Sequence, residues 1–287
     1  MEKKFFQSPT IYVGEVSINV TDLERSLEFY RDFLGFKVLE QTDTVAKLTA
    51  DGEKAILTLV QPEGVQPKAP RTAGLYHFAI LLPNRSDLAA LLQHIAEKSG
   101  GNMRLGASDH FVSEALYFDD PDGNGIEIAH DRDSETWEWE GNTVSMGTVA
   151  LDAQGLLADR KAPWEGMPED TIMGHIHLHV SDIEAAREFY MNGIGYDVVT
   201  ELPGALFTSS NGYHHHIGMN IWNGVGAPRT PENSVGLNWF KLVFPDESTR
   251  QTTLENVRKL KAPIREANGD YLVEDPSGNT LRFVIEE

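Results

Sequence analysis

The sequence predicts an α+β fold in which four modules of the order β-α-β-β-β pair to form two open, barrel-like domains. Three observations lead to this prediction: a helical motif that occurs twice, a turn motif that occurs twice, and an alternating strand pattern at the start of each module. The length of 287 residues suits about two domains and is enough to bury large cores.

The helical motif is a Glu-rich amphipathic stretch with an aspartate directly before it. Residues 22–30 recur as residues 182–190, a separation of 160 positions (182 − 22 = 160). The match continues without a gap to position 39, and seven of these 18 positions are identical. An aspartate before such a stretch is typical of a helix N-cap. The motif therefore predicts one helix at the same place in each half of the chain.

The turn motif has the form Asp-Pro-x-Gly-Asn. It occupies residues 120–124 and again residues 275–279, each time between two strand-like stretches. Pro, Gly and Asn favour tight turns because their backbone preferences match turn conformations. The motif predicts a turn before the last strand of two modules.

The strand pattern divides the chain into four modules and one connector. In sequence order, the first domain (10–131) would pair modules A and B, and the second (173–287) would pair modules C and D. Residues 132–172 are too long for a bare loop, so this connector is predicted to carry a short helix near residues 153–159. The module bounds are 10–62 for A, 74–131 for B, 173–224 for C and 235–286 for D.

Composition excludes several classes of protein. The chain has 24 basic and 44 acidic residues, a formal charge of −20, so a nucleic-acid backbone would be repelled. No apolar run approaches the ~20 residues of a membrane helix, and no secretory signal is found, so a cytoplasmic protein is expected. The absence of cysteine excludes disulfides, thiolate metal sites and iron–sulfur clusters. Metal or acid–base chemistry would have to use His, Asp, Glu or Tyr.

The order of these motifs resembles the vicinal oxygen chelate superfamily, which holds glyoxalase I, bleomycin- and fosfomycin-resistance proteins, and extradiol ring-cleaving dioxygenases. The resemblance covers nearly the whole chain, and in layout it is strongest to the Bacillus-type catechol 2,3-dioxygenases. It implies a meta-cleaving dioxygenase that inserts O2 into a catechol-like aromatic diol at a non-haem Fe(II) site, with Mn(II) or another divalent metal as the alternative. It leaves room for a homo-oligomer and implies no nucleic-acid or membrane partner.

The resemblance also implies metal ligands, which superfamily members take from the first and last strands of a module. The matching positions hold His77 and Glu127 in module B and His175 in module C. Two imidazoles and one carboxylate on one face of an octahedral ion leave three positions, enough for a chelating diol and O2. This set requires B to pair with C, which would leave A with D and would replace the pairing in sequence order.

The matching positions in the other two modules do not form a ligand set. Module D holds Trp239 and Arg282 there, and module A holds Glu15. Neither an indole nor a guanidinium is a metal ligand. The resemblance therefore implies one metal site for the whole chain.

Three histidines of module C, His175, His177 and His179, alternate along its first predicted strand. Alternate residues of a strand point to the same face. Because three imidazoles would be costly inside an apolar core, this face is predicted to line a polar cavity or to meet solvent. Only His175 matches a ligand position, and His177 and His179 would either support the ligands or lie on the surface.

The run of His214, His215 and His216 lies where extradiol enzymes carry an acid–base histidine. An imidazole titrates near neutral pH, which suits proton transfer to and from a diol. The motif alignment implies His215 for this role, and a shift of one position would select His214 or His216 instead.

Two further residues of module B match family positions. Tyr117, ten residues before Glu127, corresponds to a tyrosine that bonds near the substrate oxygen, and a packing role is the alternative. His110 resembles a loop histidine at the mouth of the pocket. The resemblance leaves two other functions open: a glyoxalase I-like lyase or isomerase, which normally uses four ligands, and a metal-free protein that binds a small molecule.

Overall fold

The computed structural model of the chain describes residues 2–101 and 103–285. The last two positions of the predicted second domain, 286 and 287, lie outside the described residues. The strands follow the modules in chain order. Module A contains β1 (Tyr12–Asn19), β2 (Lys37–Gln41), β3 (Val45–Thr49) and β4 (Ala55–Val60). Module B contains β5 (Gly74–Leu81), β6 (Gly106–Asp109), β7 (Ser113–Asp119) and β8 (Gly125–Asp131).

The connector carries three short strands, and the last two modules repeat the pattern of the first two. The connector strands are β9 (Trp139–Glu140), β10 (Thr143–Val144) and β11 (Val149–Ala150). Module C contains β12 (Ile172–His179), β13 (Asp197–Leu202), β14 (Ala205–Ser209) and β15 (Ile217–Asn220). Module D contains β16 (Gly236–Phe244), β17 (Ile264–Ala267), β18 (Asp270–Glu274) and β19 (Thr280–Ile285).

Each module has one helix between its first two strands, and the connector has the short helix that its length predicted. The helices are α1 (Leu23–Leu27), α2 (Arg85–Lys98), α3 (Ala153–Ala158), α4 (Ile183–Arg187) and α5 (Glu247–Lys259). The predicted N-caps are confirmed for α1 and α4, where the carboxylates of Asp22 and Asp182 accept hydrogen bonds from backbone N–H groups of the first turn. Both helices continue without a break as a π-helical segment, Glu28–Phe33 and Glu188–Ile194.

The strands form two large curled sheets, and each sheet combines modules from both halves of the chain. One sheet has the order β11-β6-β7-β8-β5-β12-β15-β14-β13 and joins B with C. The other has the order β17-β18-β19-β16-β1-β4-β3-β2 and joins D with A. The pairing in sequence order, with A and B over 10–131 and C and D over 173–287, is therefore not how the sheets form. The exchanged pairing that the ligand set requires is the observed one.

The exchange arises because the first strands of modules pair with each other. β5 pairs antiparallel with β12, and β1 pairs antiparallel with β16. The intervening chain between B and C, which includes α3, is long enough to bring β12 beside β5. The helical motif occurs in A and C and the turn motif in B and D, so these motifs do not specify which first strands meet.

The two repeated motifs meet in the structure and link the modules in sequence order. Tyr30, from the helical motif of A, donates to Asp120 of the turn in B at 3.0 Å, and Tyr190 of C donates to Asp275 in D at 3.1 Å. Each aspartate also accepts from two backbone N–H groups and from the Asn of its own turn. The motif is thus a buried carboxylate that fixes a turn and holds a neighbouring helix.

One continuous cluster of buried apolar side chains draws on all four modules and joins the two sheets into one core. Among its largest members are Tyr30, Tyr190, Phe78, Phe240 and Phe283, all fully buried. Within the described residues, no helix is long and apolar enough to cross a membrane.

The tyrosine–aspartate bonds predict a measurable contribution to stability. Tyr30→Phe and Tyr190→Phe each leave a buried carboxylate without one of its donors, so each should lower the free energy of unfolding by about 1–3 kcal/mol. Urea unfolding followed by circular dichroism measures this. The control is Tyr271→Phe, because the Tyr271 hydroxyl accepts a 3.4 Å hydrogen bond from Gln251 and a loss below about 0.5 kcal/mol is expected. Equal losses in all three variants would contradict the assignment.

Candidate metal centre

Three strands of the B–C sheet bring two imidazoles and one carboxylate to one point. His77 lies on β5, Glu127 on β8 and His175 on β12, the central strands of this sheet. β8 runs parallel to β5 and close beside it. A Cβ at Gly125 would lie 2.2 Å from the carbonyl oxygen of Tyr76, so only glycine permits this approach at the start of β8.

The three side chains are buried and converge on one carboxylate oxygen. His77 Nε2 lies 3.0 Å and His175 Nε2 lies 3.1 Å from Glu127 Oε2. One ligand atom from each of the three residues lies within 4.8 Å of the others. Within residues 2–101 and 103–285, this is the one group of three or more metal-binding side chains. The structure thus brings together all three residues of the predicted ligand set.

The environment keeps Glu127 and His77 in the protonation states that a metal needs. Burial alone would raise the pKa of Glu127, but His175 and His77 beside it bring that pKa well below its ordinary value. Burial lowers the pKa of His77, although Glu127 acts in the opposite direction. A carboxylate and a neutral imidazole are the forms that bind a cation.

One atom of the set has no hydrogen-bond partner. His77 Nε2 is buried and lies 3.0 Å from Glu127 Oε2, but the two atoms do not form a hydrogen bond. A buried polar atom without a partner is costly unless something else satisfies it. A divalent cation at the meeting point of the three residues would do so. Two imidazoles and one carboxylate with open positions are the donor set of non-haem Fe(II) sites, so the residues fit such an ion.

His215 is the member of the 214–216 run that faces this centre. Its ring centroid lies 4.1 Å from that of His175. His216 instead bonds the carbonyl oxygen of Phe5, and His214 bonds Asp131. The sequence left three candidates for the acid–base role, and the geometry favours His215.

A hydrogen-bond chain behind His215 determines which of its nitrogens carries a proton. His214 Nε2 donates to Asp131 Oδ1 at 3.0 Å, so the Nδ1 of neutral His214 is an acceptor. His215 Nδ1 lies 2.8 Å from that atom and must therefore donate to it. The lone pair of His215 is consequently on Nε2. Burial and repulsion by His175 and His214 place the pKa of His215 well below its ordinary value, which keeps it an acceptor.

Asp131 and the supporting role of His214 were missed by sequence reasoning. Asp131 ends β8, four residues after Glu127, and its other oxygen accepts from the Tyr213 hydroxyl at 2.8 Å. An acid at the end of a ligand strand is a weak signal. Nothing in the sequence connects it to His214, which is 83 positions away.

Tyr117 and His110 form a second hydrogen-bonded pair beside the centre. His110 Nδ1 donates to the carbonyl oxygen of Gly147 at 2.7 Å, so His110 Nε2 accepts from the Tyr117 hydroxyl at 2.6 Å. The rings of Tyr117 and His77 are 5.6 Å apart. Burial and the nearby Glu127 raise the pKa of Tyr117 well above its ordinary value, so its hydroxyl stays protonated.

His177 and His179 are tied to one asparagine. Asn220 Nδ2 donates to His177 Nε2 at 2.9 Å, and Asn220 Oδ1 accepts from His179 Nδ1 at 2.7 Å. His177 is buried with its ring 5.1 Å from that of His77, whereas His179 is half-buried. A Cβ at Gly218 would come within 3.0 Å of the His177 ring, so glycine makes room for it. On this face of the strand, His177 is thus buried beside the three converging residues, and His179 lies at the partly exposed end.

Comparisons with known proteins agree with this fold. The family model "Glyoxalase/Bleomycin resistance protein/Dioxygenase superfamily" matches residues 12–128 and 172–283. The catechol-2,3-dioxygenase of Bacillus subtilis (strain 168) is 44% identical over 284 residues, which are 96% of this chain and 97% of that protein. A crystal structure of another protein from Bacillus subtilis subsp. subtilis str. 168 aligns with a TM-score of 0.67 at 14% identity, over 96% of this chain and 85% of the other.

Glyoxalase I from Zea mays is a further structural relative. It aligns with a TM-score of 0.58 at 16% identity, over 96% of this chain and 92% of the other. At such identities the two solved structures show a common fold. A common fold does not determine the activity, which depends on the residues of the site.

The geometry predicts that metal binding depends on the three converging residues. Purified protein loaded with Fe(II) or Mn(II) should hold about one ion per chain, and Glu127→Ala or His77→Ala should hold less than about a tenth of that. Metal analysis after gel filtration measures the ratio. His94→Ala is the control, because His94 is a part-buried histidine that bonds the carbonyl oxygen of Phe33 in another part of the fold. Full metal content in the Glu127 variant would show that the ligand set is wrong.

Proposed function

The chain belongs to the Glyoxalase/Bleomycin resistance protein/Dioxygenase superfamily and is a dioxygenase, and we propose that it cleaves a catechol-like aromatic diol by the extradiol route. The observation that carries this proposal is the position of His215 Nε2, an available base, beside a centre of two imidazoles and one carboxylate. Both atoms of O2 enter the product, the ring bond next to the two hydroxyls breaks, and no other reductant is needed.

Fe(II) is the proposed ion, held by His77, Glu127 and His175. When bound, it would keep the diol and O2 on adjacent positions and let electron density pass between them. Mn(II) has similar ligand preferences and is the alternative.

The protein side chains supply the proton transfers. The Nε2 lone pair of His215 accepts a proton as the diol binds, and the imidazolium that results returns it to the leaving oxygen when the O–O bond breaks. Asp131, acting through His214, holds this ring in the tautomer that the first step needs.

Tyr117 positions the substrate oxygen nearest to His77. Its raised pKa keeps the hydroxyl protonated. His110 accepts a hydrogen bond from the Tyr117 hydroxyl at rest, and this bond orients the hydroxyl beside the centre. Such a hydroxyl can accept from or donate to an oxygen of the diol as charge develops there.

The two alternative functions have less support. A glyoxalase I-like reaction normally uses four ligands, and the group of metal-binding side chains in the described part of the chain contains three. A metal-free binding protein would have no need of the buried, unpartnered nitrogen of His77. Tightly bound zinc or nickel would favour the first alternative, and no affinity for any divalent ion would favour the second.

The proposal predicts ring cleavage by the iron-loaded enzyme. A panel of catechols mixed aerobically with the Fe(II)-loaded protein should give yellow ring-opened products, followed by absorbance and O2 uptake. His215→Gln should retain the metal and lower kcat by about 10²–10⁴-fold, because the base is removed while the ligands stay. His94→Gln should keep wild-type activity. The absence of product across the panel would contradict the proposed function, and full activity of the His215 variant would contradict the assigned base.

The hydrogen-bond chain predicts a smaller effect at a distance. Asp131→Asn should lower kcat by about 10–100-fold with the metal content unchanged, because the amide no longer selects the tautomer of His214 and His215. The pH profile should shift as well, since the base loses its supporting charge. Asp133→Asn, an exposed neighbour that caps a short 3-10 helix, is the control. A Tm change without a change in the pH profile would indicate a structural role only.

A further inference from the structure

A second cavity lies against the A–D sheet. It has a volume of about 1060 Å³ and is lined by strands of both modules together with residues 169–173. Pockets for small ligands commonly have volumes of about 300–1,000 Å³. The cavity is therefore large enough for a small organic molecule.

The strand register makes this cavity the counterpart of the metal centre. In the A–D sheet, β1 pairs with β16 as β12 pairs with β5 in the B–C sheet. Trp239 lies opposite Ser17 in the A–D sheet, in the same way that His77 lies opposite His177 in the B–C sheet. Glu15 and Arg282 occupy the positions that correspond to His175 and Glu127. All three replacement residues line the cavity, and they cannot form the metal set.

Two of the replacement residues, Glu15 and Arg282, belong to a row of charged side chains that crosses three strands and ends on a fourth. Glu15 on β1 is opposite Lys241 on β16, and Lys241 is opposite Arg282 on β19. Glu15 Oε2 lies 2.5 Å from Lys241 Nζ, and Asp270 Oδ2 lies 2.6 Å from Arg282 Nη2. Two cations thus stand side by side in the row, with one acid on each outer side.

The cations face the cavity more than their acidic partners do. The side chain of Lys241 is 26% exposed and that of Glu15 is 5% exposed, and the Thr58 hydroxyl also donates to Glu15. The side chain of Arg282 is 35% exposed and that of Asp270 is 20% exposed. Like charges on neighbouring strands repel each other. An anion between Lys241 and Arg282 would relieve this repulsion.

An aromatic platform lies next to the two cations. The Arg282 guanidinium carbon lies 5.3 Å from the centroid of the Trp239 ring, and both groups line the cavity. Trp239 is half-buried. Guanidinium planes and indole rings both stack on flat conjugated groups. The ligand that matches this surface is flat as well as anionic.

Two buried polar atoms in the cavity lining have no hydrogen-bond partner. They are the Thr171 hydroxyl and Arg250 Nε, on residues that are 3% and 8% exposed. Because each of these atoms has almost no accessible surface, the groups that a ligand in the cavity can reach are those of Lys241, Arg282 and Trp239.

Three acids at the rim of the cavity have partners of their own. Asp51 accepts from the backbone N–H groups of Glu53 and Lys54 and so fixes a turn. Glu169 and Asp170 pair with Lys37 and Lys3. These acids are therefore bonded to other groups, and Lys241 and Arg282 remain the two cations of the row.

We propose that the cavity of the A–D sheet is a second, non-catalytic binding site for a small planar carboxylate, such as an aromatic or conjugated acid. The carboxylate accepts hydrogen bonds from Lys241 and Arg282, and the conjugated part stacks on the surface that Arg282 forms with Trp239. The site takes the place of the metal centre that the same positions form in the other sheet.

The probe for this site is 4-fluorobenzoate, observed by fluorine NMR line broadening during titration of the full-length protein. The wild type should bind it with a Kd on the order of 1 mM or tighter. The uncharged 4-fluorobenzyl alcohol should bind at least about tenfold more weakly, because charge-assisted hydrogen bonds are lost. No binding of the acid at about 10 mM, or equal binding of the alcohol, would overturn the proposal.

Paired substitutions test the residues without leaving a buried charge alone. Two double variants each remove one cation together with its acidic partner, so that the charge at that place stays neutral. They are Glu15→Gln with Lys241→Met, and Asp270→Asn with Arg282→Met. Each pair should weaken binding of 4-fluorobenzoate at least about tenfold. Lys54→Met, an exposed residue at the rim, is the matched control and should not change binding. Circular dichroism checks the fold of each variant.

Glu127→Gln separates this site from the metal centre. It should leave the Kd of 4-fluorobenzoate unchanged. If binding is lost in this variant and kept in both paired variants, the acid occupies the metal centre and the proposal is wrong. The catechol assay is independent of this titration, so failure of either does not imply failure of the other.

Discussion

The antiparallel pairing of β5 with β12 is the constraint on which the site depends. These strands belong to modules from different halves of the chain, and their register places His77 opposite His177, with His175 two residues away. β8 then runs beside β5 and brings Glu127 to the same point. If β5 paired with β1 instead, His77 and Glu127 would lie in one sheet and His175 in the other. The metal centre is therefore a consequence of the exchanged pairing.

Two kinds of contact hold the exchange in place. The sheets join B with C and D with A, whereas the tyrosine–aspartate bonds join A with B and C with D. Every module is thus bound to two others, one through a strand and one through a helix. The shared apolar core follows from this arrangement, because no pair of modules can be removed without exposing the faces of the remaining pair.

The sequence predicted the modules and their helices, because repeats are local information, and the resemblance to the superfamily implied the three converging residues. It did not decide the pairing of modules, which depends on long-range strand contacts. The motif alignment pointed to His215 and left His214 and His216 as alternatives, because only the distances of these residues from His175 and Asp131 distinguish them. Asp131 was missed for the same reason: its role comes from a hydrogen bond between the end of β8 in module B and the segment between β14 and β15 in module C.

The difference between the two sheets is a matter of charge. The A–D cavity holds its cations beside acids, whereas the three converging residues of the B–C sheet include one carboxylate, Glu127, among imidazoles. Burial lowers the pKa of His77, His177 and His215, so these rings are neutral near pH 7. A divalent cation on one carboxylate leaves a charge of about plus one. A diol that has lost one proton brings this sum to zero, which favours its binding over that of a neutral phenol or a dianion. Under the proposed function, the neutral histidines favour a substrate that can give up a proton, and His215 is the proposed acceptor of that proton.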